Sequence, residues 1–422
     1  MSRPERAVAV IDGEHYPQVV RDALAELPFE VVAVVLVGGV EKLRGDPDYG
    51  VPLWGDVEEA IDGHAPELVL DLSDEPVLGP VERFRLASRV LGRGIPYVGA
   101  DFRLDPPAQA AFPGRSLAVI GTGKRVGKTA VTAHLARRAA ERMRTVVVAM
   151  GRGGPSEPET ITVPPTVESL VELSRSGRHA ASDHLETAVL AGVETIGCRR
   201  CGGGLAGAVF TSNVAEGARL AAELEPDLVI FDGSGAALPP IAADRRVVVV
   251  GAHQDPAVVT GYLNEYRLLL ADVVVLTMAE AGSGWEAVER AVSQVVRDGV
   301  EVVPIVLRPR PAVEIRGRRV AFFCTAPESA HAKLREHLSR VHGAEIVHIS
   351  GNLADRDALR HELERLDAEV YLVELKAAAI DVVAEGALTR GAEVVLAAND
   401  AVSVQPKREL DAILLEMAGI DE

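Results

Sequence analysis

Short apolar runs recur along the whole chain, each closed by Gly, Asp or Ser and each followed by a stretch of helical spacing. Near the start, residues 7–11, 31–37, 68–72 and 96–100 read as strands, with helices at 18–27 and 83–93 between them. The middle repeats the alternation. Strands are expected at 117–120, 145–149, 206–211, 227–231, 247–251 and 273–277, and helices at 129–140, 185–191 and 216–224. Strands at 302–307, 320–323, 345–349, 370–374 and 394–397 follow, again with helices between. Strands that alternate with helices predict parallel sheets covered on both faces.

Proline and glycine divide the pattern. Asp105-Pro106-Pro107 and Phe112-Pro113-Gly114 form one linker, and Arg308-Pro309-Arg310-Pro311 precedes the last group of strands. The expected fold is therefore α/β in three units. Residues 1–107 form a Rossmann-like domain, 115–312 a P-loop nucleotide-binding domain, and 316–422 a C-terminal α/β extension whose strands could continue the central sheet.

Composition narrows the function. The 422 residues are 48% hydrophobic but only 4% aromatic, so the cores must be built from Val, Leu, Ile and Ala, as in buried parallel sheets. No apolar run is long enough to span a bilayer, the first residues lack a signal-peptide core, and three cysteines provide no disulfide framework. A cytoplasmic protein with no membrane partner is expected. The net charge of −18 argues against non-specific nucleic-acid binding. It also makes cations set among glycines at strand ends informative, because any anionic substrate must be bound against the global field.

Such cations cluster around one stretch. The apolar run 117–120 breaks into Gly121-Thr122-Gly123-Lys124-Arg125-Val126-Gly127-Lys128-Thr129, and a helix follows. This is the strand–loop–helix context of a phosphate-binding loop. Backbone N–H groups and the helix dipole favour phosphate there, Lys128 would reach the β/γ-phosphates, and the Thr129 hydroxyl would hold Mg²⁺. The spacing departs from G-x-x-x-x-G-K-[ST], because five residues separate Gly121 from Gly127. Leu228-Val229-Ile230-Phe231 followed by Asp232 is a Walker-B pattern, about 100 residues downstream, with the acid serving Mg²⁺. Arg152 lies among Gly151, Gly153 and Gly154 at the end of the 145–149 strand, where a guanidinium can grip a phosphate bidentately. Arg199 and Arg200, followed by Gly202, Gly203 and Gly204, form a second such segment.

Other features carry two readings each. Cys198 and Cys201 have C-x-x-C spacing, which suits zinc, through a symmetric dimer that would supply four thiolates, or a tight turn with two structural thiols. Asp12, Glu14, His15, Gly38, Gly39, Asp71, Asp74 and Glu75 all fall at strand ends of the first unit, as turn and cap residues or as a ligand crevice. The segments 253–255, 277–278, 350–352 and 398–400 close later strands, and Lys376 follows an apolar run directly.

The glycine spacing resembles the G-T-x-x-x-V-G-K-T loop of dethiobiotin synthetase and its relatives, which are ATP-dependent ligases. Four segments together resemble a narrower family, the cyclic 2,3-diphosphoglycerate synthetases: Asp71-Leu-Ser-Asp-Glu-Pro76, Gly121 to Thr129, Met150-Gly-Arg-Gly-Gly-Pro-Ser-Glu-Pro-Glu159 and Gly197-Cys-Arg-Arg-Cys-Gly-Gly-Gly204. Their order is also similar, so the resemblance covers nearly the whole chain. It implies ATP-dependent closure of 2,3-diphosphoglycerate to its cyclic phosphoanhydride, with ADP and phosphate released, and a homodimer working with Mg²⁺. On that implication Lys124, Lys128, Arg152 and Asp232 carry the chemistry. Gly121, Thr122, Gly123, Arg125, Val126, Gly127, Lys128 and Thr129 bind ATP, Arg152, Gly153, Gly154, Arg199 and Arg200 bind substrate phosphate, and Thr129 and Asp232 hold the metal. Lys124 stands four residues before Lys128, one short of the place of the trans-acting lysine in partition-type ATPases, so a local role is expected. A kinase or ligase acting on another phosphorylated or carboxylated metabolite, and an ATP-driven dimerisation switch, are the alternatives. The acidic tail and the lack of a basic patch count against the switch.

Overall fold

The computed structural model describes residues 3–39, 43, 47–375, 379–404 and 409–420. Lys376 lies outside the described residues. The first unit is a six-stranded sheet in the order Leu53–Trp54, Glu30–Val37, Arg6–Asp12, Leu68–Asp71, Tyr97–Val98, Arg103–Leu104, parallel except for the last pair. Val8, Val69, Leu86, Val90 and Leu91 on one of its faces belong to the same apolar cluster as Phe231, Leu238 and Leu268 of the central unit. Helix Pro80–Gly92 makes this junction by lying against helix Asn264–Leu269.

The central sheet runs Glu159–Ile161, Glu194–Cys201, Thr145–Gly151, Leu228–Asp232, Ser116–Gly121, Arg245–Gly251, Val273–Thr277 and Glu301–Pro311. The Ser116–Gly121 strand lies mid-sheet and is buried along its whole length, as an unbroken apolar run requires. Helix Lys128–Ala140 covers one face through Val131, Leu135 and Ala139, packed on Leu117, Val119, Val147 and Ile230. Strand Glu301–Pro311 pairs parallel to Val273–Thr277 at its start. It then overshoots and pairs antiparallel with Glu393–Ser403 from Ile305↔Ser403 to Pro311↔Ala397. Through that ladder the strands Val370–Glu374, Arg319–Phe323 and Glu345–Ser350 join the same sheet.

Two expected elements differ. Residues 206–211 are not a strand; only the pair Thr211–Ser212 is, and the strand is Glu194–Cys201. Gly207, at φ +88°, cannot continue a ladder, whereas residues 195–198 are buried and, beyond them, exposed Arg199 and Cys201 alternate with buried Cys198 and Arg200. Segment 398–400 does not end a strand either. Asn399 and Asp400 lie inside Glu393–Ser403, opposite Pro309 and Arg308.

Candidate active site

The chain leaves the Ser116–Gly121 strand where space is tight. A β-carbon at Gly121 would fall 3.1 Å from both the Gly235 carbonyl oxygen and Val126 Cγ2. Thr122 donates its amide to Val249 O (3.1 Å) and its hydroxyl to Gln254 Oε1 (2.8 Å), which also accepts from Gly251 N. The Thr122 side chain therefore anchors the loop rather than a ligand. Arg125 and Gly127 take φ of 62° and 80°, Val126 is buried, and Thr277 Oγ1 pins the loop by donating to Val126 O (2.7 Å). The helix then starts at Lys128 without a side-chain cap, so its first N–H groups are left for a ligand.

Lys128 Nζ donates to Asp232 Oδ1 at 2.6 Å, and Thr132 Oγ1 donates to the same oxygen at 2.7 Å. Asp232 Oδ2 is buried with no hydrogen-bond partner. Burial pushes this carboxyl up, while the Lys128 ammonium and the Thr132 hydroxyl pull against that. A buried acceptor without a donor is costly, and a cation would satisfy it.

Beyond Asp232 the strand ends carry cations. Arg200 is buried, with Nη2 donating to Ser234 O (2.9 Å), Nη1 bonded to Gly202 O and Nε unpartnered. Burial first, then the Arg152 cation, push its guanidinium below the ordinary value, and Asp183 opposes them. Arg152 is exposed at the next strand end. Lys124 leans over Gly235, its Cγ 3.5 Å from where a β-carbon would stand, with Arg200 Nη2 3.9 Å from the same point. Lys124, Lys128, Asp232, Arg152 and Arg200 thus share one edge of the sheet.

Not every expected residue joins them. Arg199 projects from the opposite face of its strand, is exposed, and props the neighbouring loop through Nε to Pro155 O (3.4 Å). Gly154 has a packing reason, since a β-carbon there would stand 2.0 Å from Cys198 O. The C-x-x-C pair does not form a chelate. Cys198 and Cys201 lie on one strand, three residues apart, and so face opposite ways. Cys198 is buried against Gly217 with its thiol pushed up to about 12 by burial, and Cys201 is exposed. Among the described residues no cluster of His, Cys, Asp and Glu is placed to hold a metal by itself.

Models of the cyclic 2,3-diphosphoglycerate synthetase N-terminal, P-loop and C-terminal domains match residues 6–105, 116–306 and 311–400. The chain belongs to this family. The protein named cyclic 2,3-diphosphoglycerate synthetase in Rubrobacter xylanophilus is 49% identical, over 98% of this chain and 97% of its own length. The proteins of that name in Thermococcus gammatolerans and Pyrococcus abyssi are 45% and 43% identical, each over 96% of both chains. LpxK from Aquifex aeolicus, solved with ATP, overlaps with a TM-score of 0.44 at 14% identity, covering 79% of this chain and 94% of that one. That likeness is too slight to argue from.

Within the family's P-loop domain, sequence reasoning missed two residues at the site. Asp183, in the first turn of helix Asp183–Ala191, would stand 2.8 Å from a β-carbon on Gly151, and its charge is felt by both Asp232 and Arg200. His179 lies on Gly153, with Cδ2 2.9 Å from where a β-carbon would be. An acid after Ser182 reads as a helix cap, and a histidine between helices reads as a loop.

The family's N-terminal domain holds the other strand-end acids, and these are closed. Asp12 accepts from the amides of Glu14 (3.0 Å) and Asp74 (3.2 Å). Asp71 accepts from Arg83 Nε (2.7 Å), Tyr97 OH (2.7 Å) and Ser73 N (3.0 Å), and Arg83 also holds Glu75 (2.6 Å).

Proposed function

We propose that the protein closes 2,3-diphosphoglycerate to cyclic 2,3-diphosphoglycerate, using ATP and releasing ADP and phosphate. The observation that carries this is the cation set at one sheet edge. Lys124, Arg125, Arg152 and Arg200 form no ion pair with a carboxylate among the described residues, although acids outnumber bases by 62 to 44. Unpaired guanidiniums beside a buried lysine suit a ligand that brings several negative charges of its own.

Two phosphate dianions must meet for the ring to close. At 4 Å each unit-charge pair costs about 1 kcal/mol in water, so the four pairs cost roughly 4 kcal/mol, and more in a dry site. Lys124, Arg152 and Arg200 lower that cost on the substrate side. Lys128, freed from Asp232 as the nucleotide arrives, does so on the ATP side. Thr129 and Asp232, with Asp183 beside them, would hold Mg²⁺, and the orphaned Asp232 Oδ2 fits that role. Held there, the metal would supply charge neutralisation at the nucleotide phosphates. In the proposed route one substrate phosphate takes the γ-phosphoryl group of ATP, releasing ADP. An oxygen of the other substrate phosphate then attacks the phosphorus of that activated phosphate and expels the transferred group as inorganic phosphate. No side-chain nucleophile is required, so the residues position and stabilise charge.

In the same reading the protein is cytoplasmic and a homodimer. Three free cysteines agree with a reducing compartment, and exposed Phe210 and Leu205 beside the Gly202–Gly204 turn agree with an association surface. No helix of the described residues is long and apolar enough to cross a membrane. Incubation with ATP, Mg²⁺ and 2,3-diphosphoglycerate, followed by phosphorus NMR, is expected to show the cyclic anhydride forming with ADP and phosphate. ADP formation without a cyclic product would make the protein a kinase of another metabolite. ATP-dependent dimerisation with slow hydrolysis alone would make it a switch.

A further inference from the structure

Among the described residues Arg267 is the largest fully buried side chain, and its guanidinium donates only to neutral oxygens there. Nε donates to Ala236 O (2.9 Å), Nη1 to Leu263 O (2.9 Å) and Asn264 Oδ1 (3.4 Å), and Nη2 to Leu205 O (3.0 Å). Burial lowers its affinity for the proton, to a pKa of about 10, so the cation is kept at a cost that no carboxylate offsets. An apolar side chain would fill this place without that cost. What an apolar side chain could not do is join two separate loops to the start of its own helix.

The loops joined are those that hold Arg200. Ala236 follows Gly235 and Ser234, and the Ser234 carbonyl accepts Arg200 Nη2. Leu205 lies in the turn that begins at Gly202, whose carbonyl accepts Arg200 Nη1. Both carbonyls that aim the Arg200 guanidinium therefore sit in segments fixed by Arg267. A β-carbon on Gly207 would stand 2.7 Å from Leu238 Cγ and 3.3 Å from Arg267 Nη2, so the two segments are packed around this one side chain. Arg267 itself is on helix Asn264–Leu269, which lies against helix Pro80–Gly92 of the N-terminal unit, with Leu269 Cδ1 3.5 Å from a β-carbon position on Gly92.

We propose that Arg267 is a positioning residue that fixes Arg200 for the phosphorylated acceptor and links the N-terminal unit to the acceptor half of the site, not to the ATP half. The proposal rests on the reading of Arg200 as a ligand of 2,3-diphosphoglycerate. Its test compares full-length wild type, Arg267→Lys and Arg267→Met in two measurements. In steady-state kinetics the KM for 2,3-diphosphoglycerate should rise roughly tenfold in Arg267→Met, with the KM for ATP within about twofold, and Arg267→Lys should fall between. A role in stability alone would reduce the active fraction and leave both KM values unchanged, and that result, or an equal rise in both, overturns the proposal. Amide hydrogen exchange, which needs no substrate, should quicken in segments 202–210 and 233–238 of Arg267→Met while helix Lys128–Ala140 stays protected. Unchanged exchange in those segments also overturns it. Wild-type protein that neither binds nor turns over 2,3-diphosphoglycerate overturns the functional reading and the acceptor named here, whereas normal wild-type turnover with an unmoved Arg267→Met overturns the role of Arg267 alone.

Discussion

Two strand edges of this molecule look alike in sequence and differ in structure. At the carboxyl edge of the N-terminal sheet, Asp12 and Asp71 are buried, and every oxygen of theirs accepts a hydrogen bond. Arg83, which reaches this edge, is used up by Asp71 and Glu75. At the carboxyl edge of the central sheet, Asp232 is buried with one oxygen unmet, and Arg200 is buried with no acid in contact among the described residues. Both edges obey the rule that ligands bind beyond strand carboxyl ends, so topology does not separate them. Polar satisfaction does. A closed network is complete without a ligand, and an open one is stabilised by a ligand that supplies the missing charge.

The strongest way to break this comparison is to remove the open edge's central pair. Lys128→Met should lower kcat about 10³-fold or more, in the range measured when a charge-stabilising donor is lost from an active site. Asp232→Asn should act similarly, and the Mg²⁺ concentration for half-maximal rate should rise. Fluorescence titration with a nucleotide analogue and steady-state assays would check both. Near-normal turnover in either variant would mean that the open edge is not the ATP site.

The matching change at the closed edge should act on stability. Asp71→Ala leaves the Tyr97 hydroxyl and the Arg83 guanidinium without their buried acceptor, at a cost of about 3 kcal/mol. Denaturant unfolding should show that loss while the folded fraction keeps its affinity for ATP. If substrate affinity collapsed with stability intact, the N-terminal edge would be part of the site after all. Next in size, Arg200→Met should raise the KM for 2,3-diphosphoglycerate about 50-fold, and Arg152→Ala about tenfold, with ATP binding spared in both. Arg199→Ala should change it least of the three arginines, because Arg199 points to the other face. A reversed order would show that Arg199 turns inward when the acceptor binds.

That ranking could not be made from the sequence. The phosphate loop was legible because its determinants are contiguous: an apolar run, glycines, Gly127-Lys128-Thr129 and a helix. Asp232 stood out from its place after four apolar residues, and the structure buries it against Lys128. Arg199 and Arg200 looked equivalent because no strand was expected at 194–201, and only a strand sends neighbours to opposite faces. The same strand separates Cys198 from Cys201. Asp183 and Arg267 were invisible because what matters about each is set by residues far along the chain: Gly151 and Asp232 for the first, Leu205 and Ala236 for the second. The continuation of the central sheet into the last strands hung on Pro309 and Pro311. In sequence they lead into the last group of strands, and in the structure they sit on the long Glu301–Pro311 strand, in the part that pairs antiparallel with Glu393–Ser403.

A pH-dependent effect lies where the two regions meet. Glu265 sits on helix Asn264–Leu269, buried against the N-terminal unit, with Arg85 Nε at 3.9 Å and Oε2 without a hydrogen bond. Burial pushes its carboxyl up from 4.5 to about 6; Arg85 and Arg89 pull it down, and Glu58 pushes it further up. Arg89 is engaged by Asp56 and Glu58, so it compensates Glu265 only weakly. With the folded pKa above the unfolded one, the folded protein holds this proton more tightly. Its contribution to stability is complete below about pH 4.5 and is lost as pH rises through 6, a change of about 2 kcal/mol at 1.36 kcal/mol per unit. Glu265→Gln removes the titration, so thermal melts should find the variant more stable than wild type near pH 7.5, with the gain shrinking towards pH 5. A difference in Tm that stays constant across that window would show that Glu265 ionises as a solvated carboxyl does. The contact between the N-terminal unit and the helix that carries Arg267 would then be wetter than the packing of Leu269 on Gly92 implies.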